Sequence, residues 1–325
     1  MSFVFRLLCL LILTLALPAE LTFAADAYPG KPIRLIVPFP PGGPADALAR
    51  IVGERIGADM GQPVVVENHA GAAGNIGMAL GAKATPDGYT LVLAPAGNLT
   101  VNPSLYRNVP YDVGKDFAPV TVVAAVPNIL VLHPSIPARN LAEFIAYVKM
   151  HPGELNFSSP GAGSGAHLAG ELFKSMVGAD MVHVPFSGIA PAVTAVLGGQ
   201  VQLMFAGAPA VLQHVRAGKL KALGVASLKR IASAPEIPTL SESGLAGFDV
   251  TSWYSIVAPA GTPREIIARL QTEVAKALRE PDVREKLSGQ GAEPVANTPA
   301  EFAAMIKIEA AKWGEIVRSA KISIE

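Results

Sequence analysis

The residues of this chain best suited to chemistry lie in two corners rich in glycine and proline. The first, Phe39-Pro40-Pro41-Gly42-Gly43-Pro44-Ala45-Asp46, follows the β-branched run Ile33–Val37 and leads into Leu48, Ile51, Val52 and Ile56 at helical spacing. Prolines restrict the backbone there, and Gly42 and Gly43 carry no Cβ to keep a ligand away. A helix N-terminus has unpaired N–H groups and partial positive charge, so an anion in front of Pro44 would meet donors already oriented. The predicted chemistry is a cradle for a carboxylate, with an ordinary tight βα turn as the plainer alternative. Asp46, about three residues after a Gly43 cap, can fold back onto a free N–H and complement the helix dipole. Its charge argues against a highly anionic ligand.

The second corner, Asn156-Phe157-Ser158-Ser159-Pro160-Gly161-Ala162-Gly163-Ser164-Gly165-Ala166-His167, repeats the design between another strand and helix. Gly161, Gly163, Gly165 and Ala166 formally satisfy the relaxed dinucleotide fingerprint. The following strand, Met181–Phe186, ends without the acidic residue that would hold a ribose, so no nicotinamide cofactor is expected. Ser164 and His167 suggest a periplasmic serine hydrolase as an alternative. Ala162 and Ala166, however, stand where a nucleophile elbow wants glycine, and no orienting acid accompanies the pair. Ser164 is better suited to donating to an oxyanion or capping the next helix, and His167 to orienting a ligand or hydrogen-bonding the loop. Two further loops could face the same ligand. One is Pro95–Thr100, with Ala96 and Asn98, and the other is Phe186–Pro191, with Phe186, Ser187 and Gly188. Gly207, between a strand predicted at 201–205 and a helix predicted at 209–217, completes the candidate lining. The six histidines show no i,i+4 pair, so no metal is predicted. No G-x-x-x-x-G-K-[ST] occurs and no lysine follows Gly42-Gly43, which disfavours phosphate.

Positioning these corners requires strands that end at them. Apolar runs predict strands over 33–37, 63–67, 89–94, 120–126, 129–132, 154–158, 181–185, 201–205, 221–225 and 253–258. Helical periods lie at 44–59, 74–84, 140–150, 166–177, 188–198, 209–217, 263–279 and 299–319. This alternation is that of an α/β protein with two mainly parallel sheets. Thr262-Pro263-Arg264-Glu265 and Thr298-Pro299-Ala300-Glu301 each predict a Thr N-cap with proline at the first helical position. Glu273, Lys276, Arg279, Glu309 and Lys312 on those helices read as solvated surface. The stretches near 120–132 and 250–258 are expected to cross between two lobes. Residues 28–125 plus 253–325 would form a discontinuous lobe 1 and 126–252 lobe 2, with a ligand cleft at the facing strand ends.

The chain's ends and composition bound its setting. Arg6, the apolar run Leu7–Leu13 and Thr22-Phe23-Ala24 predict a signal peptide over 1–24, cleaved near Ala24, and hence a periplasmic location. The one cysteine, Cys9, lies inside that leader, so the mature chain is predicted to have no disulfide. Basic and acidic residues balance at 26 each without a basic run, which argues against nucleic acid.

Taken in order, several segments resemble the extracytoplasmic solute receptors of tripartite tricarboxylate transporters, the TctC or Bug family. They are Tyr28–Pro32, Pro38–Arg50, Gly71–Gly77, Val184–Gly188, Gly198–Val201 and Ala258–Pro263. The resemblance implies a type II-like periplasmic binding protein, expected as a monomer, which closes on a small organic carboxylate and presents it to membrane permease subunits without catalysis. It implies a carboxylate anchor from the backbone around Pro40, Gly42 and Gly43 together with Gly163, Ser164 and His167, faced by Phe186, Ser187 and Gly188. Ala45 replaces a frequent hydroxyl residue, and Gln202 replaces a frequent Asp, which is expected to change the charge near a pocket wall. Phe186, where Tyr is common, would make the pocket more apolar. A ligand-sensing input protein for a membrane kinase would share this fold.

Overall fold

The computed structural model describes residues 28–319. The leader, its cleavage near Ala24 and Cys9 lie outside the described residues.

The strands are β1 (Ile33–Val37), β2 (Val64–Asn68), β3 (Thr90–Pro95), β4 (Phe117–Leu132), β5 (Asn156–Ser159), β6 (Val182–Pro185), β7 (Leu203–Gly207), β8 (Lys221–Val225), β9 (Thr251–Pro259) and β10 (Glu293–Pro294). Between them run helices α1 (Pro44–Met60), α2 (Asn75–Ala82), α3 (Ala96–Thr100), α4 (Asn102–Leu105), α5 (Val113–Asp116), α6 (Leu141–Met150), α7 (Gly165–Val177), α8 (Ile189–Leu197), α9 (Ala208–Arg216), α10 (Arg264–Ala277), α11 (Pro281–Gly289) and α12 (Pro299–Ser319).

The strands follow one path, β2-β1-β3-β9-β4-β7-β5-β6, with β8 and β10 also pairing to β4. Parallel ladders between these strands are confined to the two trios β2-β1-β3 and β6-β5-β7. Around β4 and β9 every pairing is antiparallel, so the sheet is mixed where the apolar pattern predicts mainly parallel sheets. The reason is that β4 and β9 run between the trios in opposite directions, and each must pair with the other. The strands predicted at 120–126 and 129–132 are one strand. Pro127 pairs with Thr251 at the end of the β9 ladder, and Asn128 then opens the ladder with β7. A proline lacks the ladder N–H, and this handover between partners is where its absence is tolerated.

Each half of the path is covered on both faces. In the first half, Leu35, Leu48, Val52, Ile256, Leu270 and Val274 pack beneath α1 and α10. Ile36, Met78, Val92, Trp253 and Phe302 fill the opposite face. In the second half, Val131, Val196, Met204 and Val211 pack under α8 and α9, and Phe144, Phe157, Phe173, Phe205 and Phe248 under α6 and α7. Each such side chain, fully withdrawn from water, contributes about 1.5–3 kcal/mol. Helix α12 belongs to both halves, because Phe302 enters the first core while Trp313, Ile316 and Val317 enter the second.

One cap expectation and several of the surface ones change. Thr298 and Glu301 form the predicted reciprocal cap, with Glu301 N–H donating to Thr298 Oγ1 at 3.2 Å and Thr298 N–H to Glu301 Oε2 at 2.8 Å. Thr262 does not cap; its hydroxyl turns back to the Pro259 carbonyl at 2.8 Å, and the helix begins at Arg264. Glu273 is buried against Arg269 at 3.0 Å rather than solvated. Glu309 accepts the indole N–H of buried Trp253 at 2.9 Å, since an indole placed in a core needs an acceptor. At the opening of the described chain, the Tyr28 hydroxyl donates to the Gly88 carbonyl at 2.7 Å and Gly30 N–H to Tyr89 Oη at 2.8 Å.

Candidate functional site

The first corner leaves β1 and enters α1 with Gly43 as an extended cap that uses no side chain. Asp46 does what its spacing predicts: Gly42 N–H donates to its Oδ2 at 3.0 Å. The structure adds two partners. Arg50 brings its guanidinium to 2.9 Å of Oδ1, and Asn68 Nδ2 donates to Oδ1 at 3.1 Å and to the Phe39 carbonyl at 3.0 Å. The hydrogen bond from Arg50, helped by Gly42 and Asn68 against the opposing effect of burial, holds the Asp46 carboxyl at about 2. Asp46 is therefore engaged in fixing the corner. The N–H groups of Ala45 and Asp46, in the first turn of α1, find no acceptor among the described residues. The Ala45 side chain packs into the core below.

The second corner is fixed by a stack of rings. Ser164 caps α7 by accepting from His167 N–H at 3.3 Å, and His167 Nδ1 accepts from Gly163 N–H at 3.0 Å. That bond puts the imidazole proton on Nε2, which faces the Glu171 carboxylate at 3.9 Å. Lys174 holds Glu171 at 3.0 Å. Behind His167 the His183 ring stacks at 3.8 Å between centroids, and Phe157 lies 4.9 Å beyond it. His183 Nε2 is 2.6 Å from Ser159 Oγ, which in turn hydrogen-bonds Gly161. Burial first, then neighbouring positive charge, pushes His167 down to about 3 and His183 down to about 4. Both rings are neutral at pH 7, as the acceptor role of His167 Nδ1 requires of that ring. Ser164 and His167 are thus engaged by the backbone and do not face each other as nucleophile and base. Gly165 and Ala166 N–H, at the start of α7, find no acceptor among the described residues.

The loop after β3 joins the two corners. A Cβ built on Gly97 would stand 3.8 Å from the Gly163 carbonyl oxygen, so backbone from the two halves meets there. Ala96 is half-buried beside it. Asn98 is buried and turned away from that meeting point, donating to the Ala73 carbonyl at 2.9 Å. Asn102 and Tyr111 converge on Asn75 Oδ1 at 2.7 and 3.0 Å. Together these groups clamp a turn in which Ala72 and Ala73 hold positive φ of 47° and 51°, a strained state for residues with a Cβ. Phe186 follows β6 and donates its N–H to the Ser159 carbonyl at 2.9 Å, beside the second corner, while its ring packs on the core under α8. Ser187 is exposed, and Gly188 caps α8 at φ 137°. Gly207 closes β7 opposite Asn128.

Gln202 is not near a pocket wall. Its Oε1 accepts from Asn156 N–H at 2.8 Å, at the starting end of β5 and away from the corners, because it immediately precedes β7. Neither of two surface cavities includes a predicted site residue. One, of about 410 Å³, lies along α1 and β2, and the other, of about 620 Å³, between Tyr106, Phe117 and Ile306. Arg50 and Glu171 were within reach of sequence reasoning, each four residues from its partner. Asn68, Tyr111 and His183 were not, since only long-range pairing brings them in.

The family described as tripartite tricarboxylate transporter family receptor matches residues 48–322. Protein BugT of Bordetella pertussis (strain Tohama I) is 42% identical over 296 residues, covering 91% of this chain and 91% of that one. Among solved structures, "R. palustris Rpa4515 with adipate" aligns with a TM-score of 0.81 at 36% identity over 91% of this chain and 100% of that one. MatC (Rpa3494) from Rhodopseudomonas palustris, with bound malate, gives 0.76 at 34% over 89% and 100%. These similarities carry the two-lobed α/β fold of periplasmic binding proteins. The chain belongs to the tripartite tricarboxylate transporter receptor family, whose members are solute receptors and not enzymes.

Proposed function

We propose that this protein is a periplasmic receptor, freed of its leader near Ala24, that captures a small mono- or dicarboxylate and delivers it as a monomer to the permease subunits of a tripartite tricarboxylate-type transporter. The observation that carries this reading is a pair of helix starts, one in each half, whose first N–H groups have no acceptor among the described residues. Ala45 and Asp46 on α1, and Gly165 and Ala166 on α7, offer backbone N–H groups without acceptors among the described residues, and the loop after β3 approaches the second of these corners where Gly97 nears Gly163. Donors of this kind suit a singly charged oxyanion. Asp46, already ionised beside them, disfavours a phosphate. The relatives with adipate and malate support the same ligand class. In this reading lobe 1 (28–125 with 253–325) and lobe 2 (126–252) close about the crossings at Pro127 and Thr251.

Trp253 provides the test, being buried next to the β9 crossing and hydrogen-bonded to Glu309. Titration with adipate, malate and hexanoate is expected to change its emission and raise the unfolding temperature. Saturation at a hundred times Kd adds about 2.7 kcal/mol. A response to neutral sugars or amines with none to any carboxylate would sink the reading.

A further inference from the structure

One tyrosine near the corners has a hydroxyl that nothing in the protein uses. Tyr254 lies on β9 opposite Pro95 at the end of β3 and opposite Ala124 on β4. The β1–β3 ladder runs from Arg34 with Thr90 to Ile36 with Val92, so the two strands deliver their loops at the same end of the sheet. Pro95, Tyr254 and Ala124 therefore form a row across the sheet where β3 delivers its loop. Both Phe39 and Tyr254 pack against the same core as Ala45 and Leu48, so Tyr254 is on the α1 face. From β1 to β9 is two strand spacings, about 10 Å.

The hydroxyl's surroundings are unusual for a group with no partner. No described residue hydrogen-bonds it, as is true of Tyr106 and Tyr147 away from the corners, whereas Tyr28, Tyr89 and Tyr111 have protein partners. Among the described residues the fully enclosed side-chain polar atom without a partner is Glu273 Oε2, so the Tyr254 hydroxyl remains reachable from solvent. Burial of most of the side chain nevertheless pushes it up to about 12, which keeps it a proton donor at any physiological pH. On either side of it the row carries Pro95 and Ala124.

We propose that Tyr254 is a specificity residue of the receptor, donating its hydroxyl to a second oxygen at the far end of a ligand whose carboxylate is held at the α1 and α7 starts. This rests on the carboxylate-receptor reading above and narrows it to carboxylates bearing a second hydrogen-bond acceptor, such as dicarboxylates and hydroxyacids. A purely aliphatic monocarboxylate would leave the hydroxyl unpaired on leaving water, which is unfavourable.

The test is calorimetric titration of the mature protein and its Tyr254→Phe variant with adipate, malate and hexanoate at pH 7. The variant keeps the ring, and an unchanged ligand-free melting temperature establishes that it is folded. Tyr106→Phe, at a half-buried tyrosine beside the 620 Å³ cavity, serves as the control. The expected result is preference of the native protein for adipate or malate over hexanoate, lowered about tenfold or more in Tyr254→Phe, with hexanoate and the control unaffected. If the native protein binds these diacids and Tyr254→Phe binds them equally well, the role of Tyr254 is overturned and the receptor reading stands. If the native protein binds hexanoate as tightly as adipate and malate, the narrowed ligand class is overturned. Binding of none of the three overturns both.

Discussion

Asp46 and His167 have the same task at the two corners: each ties down the loop that precedes its own helix and so leaves the helix-start N–H groups as the free donors. Both depend on a protonation state. Asp46 is held at about 2 against an ordinary 3.8, so its stabilisation is present above pH 3.8 and is lost as pH falls toward 2. His167 and His183 sit at about 3 and about 4 against an ordinary 6.5. The unfolded chain takes up their protons first, so their contribution is complete above pH 6.5 and declines as pH falls from there toward 3. Urea unfolding between pH 7.5 and 3 should therefore show stability falling well before the carboxylates titrate, and His183→Gln should flatten the upper part of that fall. A flat profile from pH 7 to 5 would contradict the stacked neutral pair. The reach of Asp46 to a corner N–H was legible from its place in the first helical turn. The ring behind His167 was not, because His183 arrives through the parallel pairing of β5 with β6.

At the scale of elements, α7 positions the second corner through a contact that needs a glycine. A Cβ on Gly170 would collide with the edge of the Phe157 ring, and Phe157 backs the His183 and His167 stack. Gly170→Ala should lower stability by about 1–3 kcal/mol through overpacking and weaken carboxylate binding as the stack shifts. Unchanged binding by a destabilised variant would mean that the stack does not position the corner. The helices and strands flanking both corners were legible because each has strong periodicity. Helix α11 was missed because only Val283 and Leu287 are buried along it, too few to set a period. Thr262 misled because its hydroxyl donates to the Pro259 carbonyl instead of accepting from the first N–H groups of the helix. The break expected near Pro127 was a fair reading of a proline, but it marks a change of ladder partner inside one strand.

For the whole molecule, α12 is the element that ties the halves together beside the crossing strands. Trp253 to Glu309, and the Lys312 ammonium to the Asp249 carbonyl, lie between its two buried ends. Trp313→Ala should destabilise by about 3–5 kcal/mol, and scanning calorimetry should show the single transition of the native protein broaden or split as the second core loses its share of α12. A sharp single transition in the variant would show that the crossing strands alone couple the halves. None of this was legible, since an amphipathic period identifies a buried face but not which core receives it. The opening of the described chain has its own consequence. Tyr28 is fastened at Gly88 and Tyr89, where β3 begins, while the corners gather where β3 ends, six residues and about 20 Å away. A purification tag, a fluorophore or a bead attached ahead of Tyr28 would hang from the base of the molecule, leaving its mouth unobstructed for solute and for whatever surface the loaded receptor must meet.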